Sequence, residues 1–433
     1  MFHQIPERQM HLIRWLLTLS WLLLILSLFY DPISPQLTSP DHPWSPFRLN
    51  LDACIQVQGV CLEQKPYPLG TTIFWCFVLP SVIFLLLVFG HELWRRICPL
   101  AFISQIPRAL GIQRKHQKIN SRTGKIHEVV VTVRQNSWLA RNHSYLQFGL
   151  LYIGLCGRLL FFNADRWALG FVCLMIILSA IIVGYLYDGK SWCQYFCPML
   201  PVQQIFGEPR GLLTSEAHTS VQPITQSMCR VSSGNEEKKA CVGCKPLCID
   251  IDAEKSYWVG INQPKRKFIY YGYVGLVIGY FLYYYLYAGN WDYYLSGIWV
   301  HESDQMATVM KPGFYLLGNP SPIPKLVAVP LILGLFTWGG YFCGRILEKV
   351  YQAYQLKRNP QLSLKRIQNQ IFALCTFLAF NFFFLFGSRP VLKMLSTFGI
   401  YFLEELIILV SALWLGRTWQ RSLKVYLSEK QES

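Results

Sequence analysis

Eight of the fourteen cysteines stand where thiolates can share a metal centre. Cys241-Val-Gly-Cys244-Lys-Pro-Leu-Cys248 sets two thiols two residues apart and a third four residues on, with Cys229 upstream. Thiolates at this spacing reach one centre from a tight turn, and Gly243 relaxes that turn. Four thiolates suit a [4Fe–4S] cluster or zinc, so a four-cysteine zinc ribbon stands as the alternative. The bacterial ferredoxin run is C-x2-C-x2-C-x3-C-P. Here the CxxC and the x3-C are kept, a longer insert follows the first cysteine, and the trailing proline is missing. Cys229 is therefore the least determined ligand. Lys238, Lys239 and Lys245 would offset the charge of a cluster and raise its potential.

A second constellation is an internal repeat. Gly90-His-Glu-Leu-Trp-Arg-Arg-Ile-Cys98-Pro99 runs on to Gln105-Ile106, and Gly189-Lys-Ser-Trp-Cys193-Gln-Tyr-Phe-Cys197-Pro198 runs on to Gln204-Ile205. Glycine, Cys-Pro and Gln-Ile fall at equal offsets, and each copy follows an apolar run, as in the parallel repeats of membrane folds. Cys193 and Cys197 lie one helical turn apart on one face, and the proline then limits the helix. Trp94 occupies the place of a first cysteine in the earlier copy. Gly339 precedes Leu347 by the offset that separates Gly90 from Cys98, so Cys343 takes the place of Cys193 in a degenerate third copy. Cys98, Cys193, Cys197 and Cys343 then make four thiolates at one membrane face, the number a second iron–sulfur centre needs. A redox dithiol of Cys193 and Cys197 alone is the other reading.

The elements that must position these groups are membrane helices. Of 433 residues, 52% are hydrophobic and 15% charged, against about 25% charged in soluble chains. About eight spans are expected, near 12–30, 69–89, 145–162, 167–187, 268–288, 326–347, 370–386 and 396–416. The net charge of +16 concentrates in loops 90–144 and 348–369, while 31–68 and 289–325 hold two Lys or Arg each. This is the positive-inside pattern, with both termini cytoplasmic, and no nucleic-acid module accompanies it. The reading is an all-α transmembrane fold. Residues 1–187 carry four helices with outer loop 31–68 and basic cytoplasmic loop 90–144. Residues 188–267 form a small cytoplasmic, ferredoxin-like iron–sulfur insert, and 268–433 carry four more helices. Residues 125–134 alternate as one short strand.

The motifs resemble those of polytopic membrane iron–sulfur proteins: a CxxxCP motif at a cytoplasmic helix end, repeated, then a ferredoxin-type cysteine set. That group includes the membrane quinol-oxidising component of periplasmic nitrate reductase, the nitrous-oxide-reductase electron donor and a cytochrome-oxidase accessory protein linked to copper reduction. The likeness covers about residues 70–250 and departs at Trp94 and in having one ferredoxin-type set. It implies a bacterial inner-membrane protein with cytoplasmic [4Fe–4S] clusters, one or two. Such a protein moves electrons between a cytoplasmic or membrane donor and a quinone or membrane redox partner, as a component of an oxidoreductase. A copper reductase or oxidase-assembly factor, and a redox sensor, are the alternatives.

Other residues invite weaker readings. Cys54 and Cys61 lie together in the outer loop, where an oxidising compartment favours a disulfide. Cys76, Cys156, Cys173 and Cys375 sit in apolar runs as packing residues. Tyr280, Tyr283, Tyr284, Tyr285 and Tyr287 read as an interfacial aromatic belt. Glu404 and Glu405 fall inside a span and call for a partner or a proton or quinone role; Arg158 is the candidate partner. His91 and His143 are candidate haem ligands, and His301, Glu302 and Asp304 a weak outer metal site. The topology is directly testable: reporter fusions near residues 120, 220 and 430 should read cytoplasm, and fusions near 45 and 305 the outside. A cytoplasmic reading near 45 would remove the compartment argument for every cysteine.

Overall fold

The computed structural model describes residues 7–42, 44–49, 54–119, 124, 126–213, 230–233, 236–239, 241, 243–387 and 397–432. The chain is a helical bundle with four small two-stranded antiparallel hairpins. Its helices, in order, are α1 (Glu7–Phe29), α2 (Leu79–Ile97), α3 (Pro99–Ile103), α4 (Trp138–Gly157) and α5 (Arg166–Leu186). There follow α6 (Leu200–Phe206), α7 (Ala253–Gly260), α8 (Pro264–Ala288), α9 (Lys325–Arg358), α10 (Leu364–Gly387), α11 (Thr397–Gln420) and α12 (Leu423–Glu432). Local chemistry sets several starts. The Ser137 and Asp165 side chains accept from Ala140 and Ala168 N–H at the heads of α4 and α5, and Asp252 does the same for Lys255 at α7. The short strand expected within 125–134 forms at Ile126–Val130 and pairs with a second strand, Lys115–Ile119, as a hairpin. Cys54 and Cys61 are disulfide-bonded beside the Gln56–Val57 and Val60–Cys61 hairpin.

Among the described residues, seven segments are helical, long and apolar enough to cross a bilayer: Gln9–Phe29, Gly70–Ile103, Trp138–Phe162, Arg166–Leu186, Lys325–Arg358, Leu364–Gly387 and Phe398–Gln420. Leucines such as Leu12, Leu16, Leu23, Leu335 and Leu409 stay exposed on them, as lipid-facing residues must. The expected fifth span forms as α8, a 25-residue helix, but its tyrosines and first-turn charges set it apart from the seven. It packs against α9, α10 and α4 and occupies the middle of the bundle.

That placement overturns the aromatic belt. Tyr280, Tyr283, Tyr284 and Tyr287 are buried core residues, and only Tyr285 is exposed, against Trp291. Their hydroxyls find partners inside: Tyr283 donates to the Gly313 carbonyl at 3.0 Å, and Tyr280 and Tyr284 share a 2.8 Å hydrogen bond. A tyrosine on a central helix supplies both ring area and one satisfied polar group. Arg158 is likewise not paired with Glu404. It lies over Trp75 at 3.9 Å and donates to Asn163 Oδ1 at 3.0 Å. Glu404 is buried on α11 and Glu405 exposed.

Helices α8 and α9 approach closely because small residues face each other. A Cβ on Gly275 would overlap the Phe336 carbonyl oxygen, and Gly340 meets Gly275 across the interface. Small residues at helix contacts in membranes allow this backbone approach. Gly275→Ala should therefore destabilise the bundle by about 1–3 kcal/mol through overpacking. Thermal unfolding of the purified protein in detergent should show a lowered midpoint. An unchanged midpoint would mean that the two helices do not pack as described.

Candidate iron–sulfur site

The two repeat copies share a backbone as well as a pattern. Gly90 and Gly189 have φ of +67° and +68°, the left-handed region open to glycine. Eight positions later, Cys98 and Cys197 leave the helix with φ/ψ of −56°/115° and −59°/120°. Proline causes this: the residue before it is pushed out of the helical region. The chain restarts at once as α3 after Cys98 and as α6 after Cys197. Backbone N–H groups of Leu100 and Ala101 then point at the Cys98 sulfur, and those of Met199 and Leu200 at the Cys197 sulfur. The copies also touch: Gln105 Nε2 donates to the Gly189 carbonyl at 2.8 Å, and His91 N–H to the Gly207 carbonyl at 2.8 Å. Cys193 lies in a π-helical turn, Trp192–Phe196, closed by Cys197 N–H to the Trp192 carbonyl at 2.9 Å. Such wide turns concentrate at functional sites.

These turns bring Cys98, Cys193 and Cys197 together. Burial, followed by the neighbouring thiols of Cys197 and Cys98, pushes the Cys193 thiol well above its ordinary range. Burial and Cys98 push Cys197 up to about 12. Such thiols keep their protons until a metal displaces them.

The loop Cys241 to Cys248 folds onto the same place. Gly243 takes φ +63°, as its role in the turn requires. Tyr195 donates its hydroxyl to the Cys244 carbonyl at 3.0 Å, and Lys190 N–H donates to the Cys244 sulfur. Gln194 Nε2 lies 3.5 Å from the Cys248 sulfur and donates to Asp250 Oδ2 at 3.2 Å. Asp250 also meets Lys190 Nζ at 3.4 Å through Oδ2 and His91 Nε2 at 2.8 Å through Oδ1, and its carbonyl accepts from Arg95. Burial pushes the Asp250 carboxyl up, but Lys190, His91 and Arg95 together hold it below the usual carboxylate range. The charges of Lys190 and Asp250 act on thiols of both groups, Cys98 and Cys193 in one and Cys244 and Cys248 in the other.

Not every expected residue joins. Cys241 is exposed at the edge of the loop, within reach of Cys244. Cys229 lies outside the described residues. Cys343 is exposed on α9 among exposed Phe342, Ile346 and Leu347, whereas Cys197 is buried and Cys98 and Cys193 are half-buried. The third copy fails physically: α9 runs unbroken from Lys325 to Arg358, Gly339 stays helical, and Glu348 rather than proline follows Leu347. Both ring nitrogens of His143 are engaged, Nδ1 with the Ala140 carbonyl and Nε2 with Lys245, while His91 Nε2 is held by Asp250. On the opposite side, His301 stacks on Tyr67 at 3.7 Å, Glu302 accepts from the Tyr293 hydroxyl at 2.5 Å, and Asp304 is exposed. No three His, Cys, Asp or Glu side chains among the described residues converge on a single metal ion.

A family model described as a 4Fe-4S binding domain matches residues 170–214, which include most of α5, Gly189, Cys193, Cys197 and α6. The chain holds a 4Fe–4S cluster. With its apolar helices, it is a membrane iron–sulfur protein of ferredoxin type. No curated protein and no solved structure matches it. The matched segment is the second repeat copy, so sequence motif, backbone geometry and family model meet at Cys193 and Cys197. The donor set fits the cofactor: the thiols are soft, mostly buried, and receive backbone N–H groups, which tune such clusters. Lys190, Asp250 and Gln194 were not singled out from the sequence; the one available signal was a lysine and a glutamine flanking a cysteine inside a repeat. Cys193→Ser and Cys197→Ser should each reduce iron and acid-labile sulfide, because a hydroxyl is a poorer ligand than a thiolate. Cys343→Ser should leave both unchanged. Equal iron loss in the Cys343 variant would restore the four-cysteine set.

Proposed function

We propose that this chain is a membrane electron carrier of the bacterial inner membrane. It takes electrons from a cytoplasmic or membrane donor and passes them to a quinone or membrane redox partner. The observation that carries this reading is the gathering of two cysteine groups, Cys98–Cys193–Cys197 and Cys241–Cys244–Cys248, around one buried Lys190–Asp250 pair. Each group supplies three thiols among the described residues, and Cys229 is proposed as the fourth ligand beside Cys241, Cys244 and Cys248. When bound, a cluster contributes reversible one-electron chemistry. The protein supplies the ligands, the surroundings and the distance.

The chain's own residues have definable parts in this. Lys190 and Lys245 place positive charge beside the thiols, which favours the more reduced state and raises the potential. Gln194 bridges the Cys248 sulfur and Asp250, so it couples the loop to the second repeat. Trp192 and Tyr195, both buried, keep water from the thiols. The basic loops of the sequence place this face in the cytoplasm.

The decisive measurement is iron, sulfide, zinc and EPR analysis of anaerobically purified protein. Iron and sulfide in the ratio of [4Fe–4S] clusters, with a reducible EPR signal, is the expected result. Cys244→Ser should lower iron by about one cluster. Stoichiometric zinc in the Cys241–Cys248 loop, with iron unaffected by Cys244→Ser, would overturn the assignment of that loop.

A further inference from the structure

A cleft of about 130 Å³ opens beside the cysteine loop, between the heads of α4 and α8 and the end of α7. That is roughly ten times the space one water requires. Its lining includes Lys245, Lys265, Arg266, His143, Ser144 and Ser256, and no carboxylate. Arg266 is already neutralised by its pair with Glu208. Lys265 forms no ion pair among the described residues, and the charges that favour Lys245 are those of Cys248 and, farther off, Glu208. Lys245 Nζ lies 3.0 Å from His143 Nε2 and 3.5 Å from the Gln194 carbonyl. His143 Nδ1 is 2.9 Å from the Ala140 carbonyl, so its N–H donates there and Nε2 is left as the acceptor. Lys245 thus spends two of its three donors on neutral groups and keeps one.

Lys245 and Lys265 repel each other in one cleft, and the charge of a cluster on Cys248 would offset Lys245 alone, so an anion in the cleft would complete the balance at Lys265. The first turn of α8, a 25-residue helix starting at Pro264, enters the same cleft through Gln263, Lys265 and Arg266 and adds the positive end of its dipole. Ser144, Ser256, Gln204 and Gln263 also line the cleft. An acceptor-rich tetrahedral anion suits cations beside a helix head better than a planar carboxylate, which offers fewer acceptor atoms. Leu247 and Val259 form an apolar lip and are each 47% exposed.

We propose that this cleft is a binding site for a phosphate group, held by Lys245 and Lys265 at the head of α8. The group is carried either by free phosphate or by an anionic lipid headgroup whose acyl part rests on the lip.

The test uses the full-length protein in maltoside micelles, which contain no phosphate. Radiolabelled orthophosphate is titrated by equilibrium dialysis in one arm. In the other, phosphatidylglycerol is added and bound lipid is counted by native mass spectrometry. One saturable site is expected in at least one arm. Saturation by orthophosphate identifies the free anion, and saturation by the lipid alone identifies the headgroup. Lys265→Gln should weaken binding ten-fold or more, whereas Lys265→Arg should retain it. Size-exclusion elution of both variants should match that of the parent. Failure of both ligands to saturate at millimolar concentration, or parental binding by Lys265→Gln, would overturn the site.

Discussion

The organisation of the site depends on one buried ion pair. Lys190 and Asp250 have side chains only 2% and 5% exposed. Taking such charges out of water costs several kcal/mol per ion, and breaking a buried pair by removing one partner typically costs about 3–5 kcal/mol. The pair is tolerable here because both oxygens of Asp250 are engaged: Oδ1 by His91, Oδ2 by Lys190 and Gln194. Each partner comes from a different stretch of chain. His91 and Arg95 belong to the first repeat copy, Lys190 and Gln194 to the second, and Asp250 to the segment after Cys248. The pair therefore fixes the register of three segments at once, and the thiols follow because they are its sequence neighbours. A hydrophobic contact of equal size would hold the segments together without specifying which atoms meet.

The Cys-Pro turns solve a second constraint, that of presenting a sulfur at the end of a membrane helix. Proline stops the helix and pushes the cysteine before it to an extended ψ. The next helix then begins with free N–H groups, as all helices do. Those N–H groups face the sulfur, so each cysteine comes with its own hydrogen-bond donors. The left-handed glycine eight residues earlier lets the backbone turn before the cysteine is reached. Helix α9 has a glycine at the matching offset but no proline after Leu347, and it continues past that point as a regular helix. The motif depends on the proline, and spacing alone does not reproduce it.

This explains which features could be read from the sequence. The repeat, the role of Gly243 and the outer-loop cysteine pair could be read, because each depends on local chemistry within a few residues. The helices could be read because a lipid-facing surface demands apolar side chains. The Lys190–Asp250 pair could not, since its partners stand sixty positions apart and Asp250 belongs to no motif. Cys343 shares the offset of the repeat but lacks the following proline, and α9 continues past it as a regular helix. The tyrosines of α8 were misplaced because a cluster of aromatic residues looks the same whether it meets the interface or other helices. Arg158 was assigned a carboxylate because a buried cation ordinarily has one; Trp75, Tyr280 and Trp299 surround it instead.

The tyrosine-rich centre follows from the same physics. Between helices in a bilayer, apolar side chains gain little, since lipid tails are as apolar as leucine. Packing and hydrogen bonds must hold the helices together. Tyrosine supplies both, which explains why α8 has Tyr270 stacked on Phe372 at 3.9 Å and bonded to the Gln204 carbonyl at 2.9 Å. Tyr271 reaches Glu348 Oε2 at 2.9 Å and also accepts from Gln368 at 2.8 Å. A helix screened from lipid by α4, α9 and α10 has no need of an apolar surface, so hydropathy under-reads it while packing does not. The bonded tyrosines run from Tyr270, which ties α8 to the residues just after the cysteines of the second repeat, to Tyr284, which reaches Asn163 and through it Arg158. The tyrosine-rich central helix is therefore the one that joins the thiol-bearing end of the bundle to the opposite end.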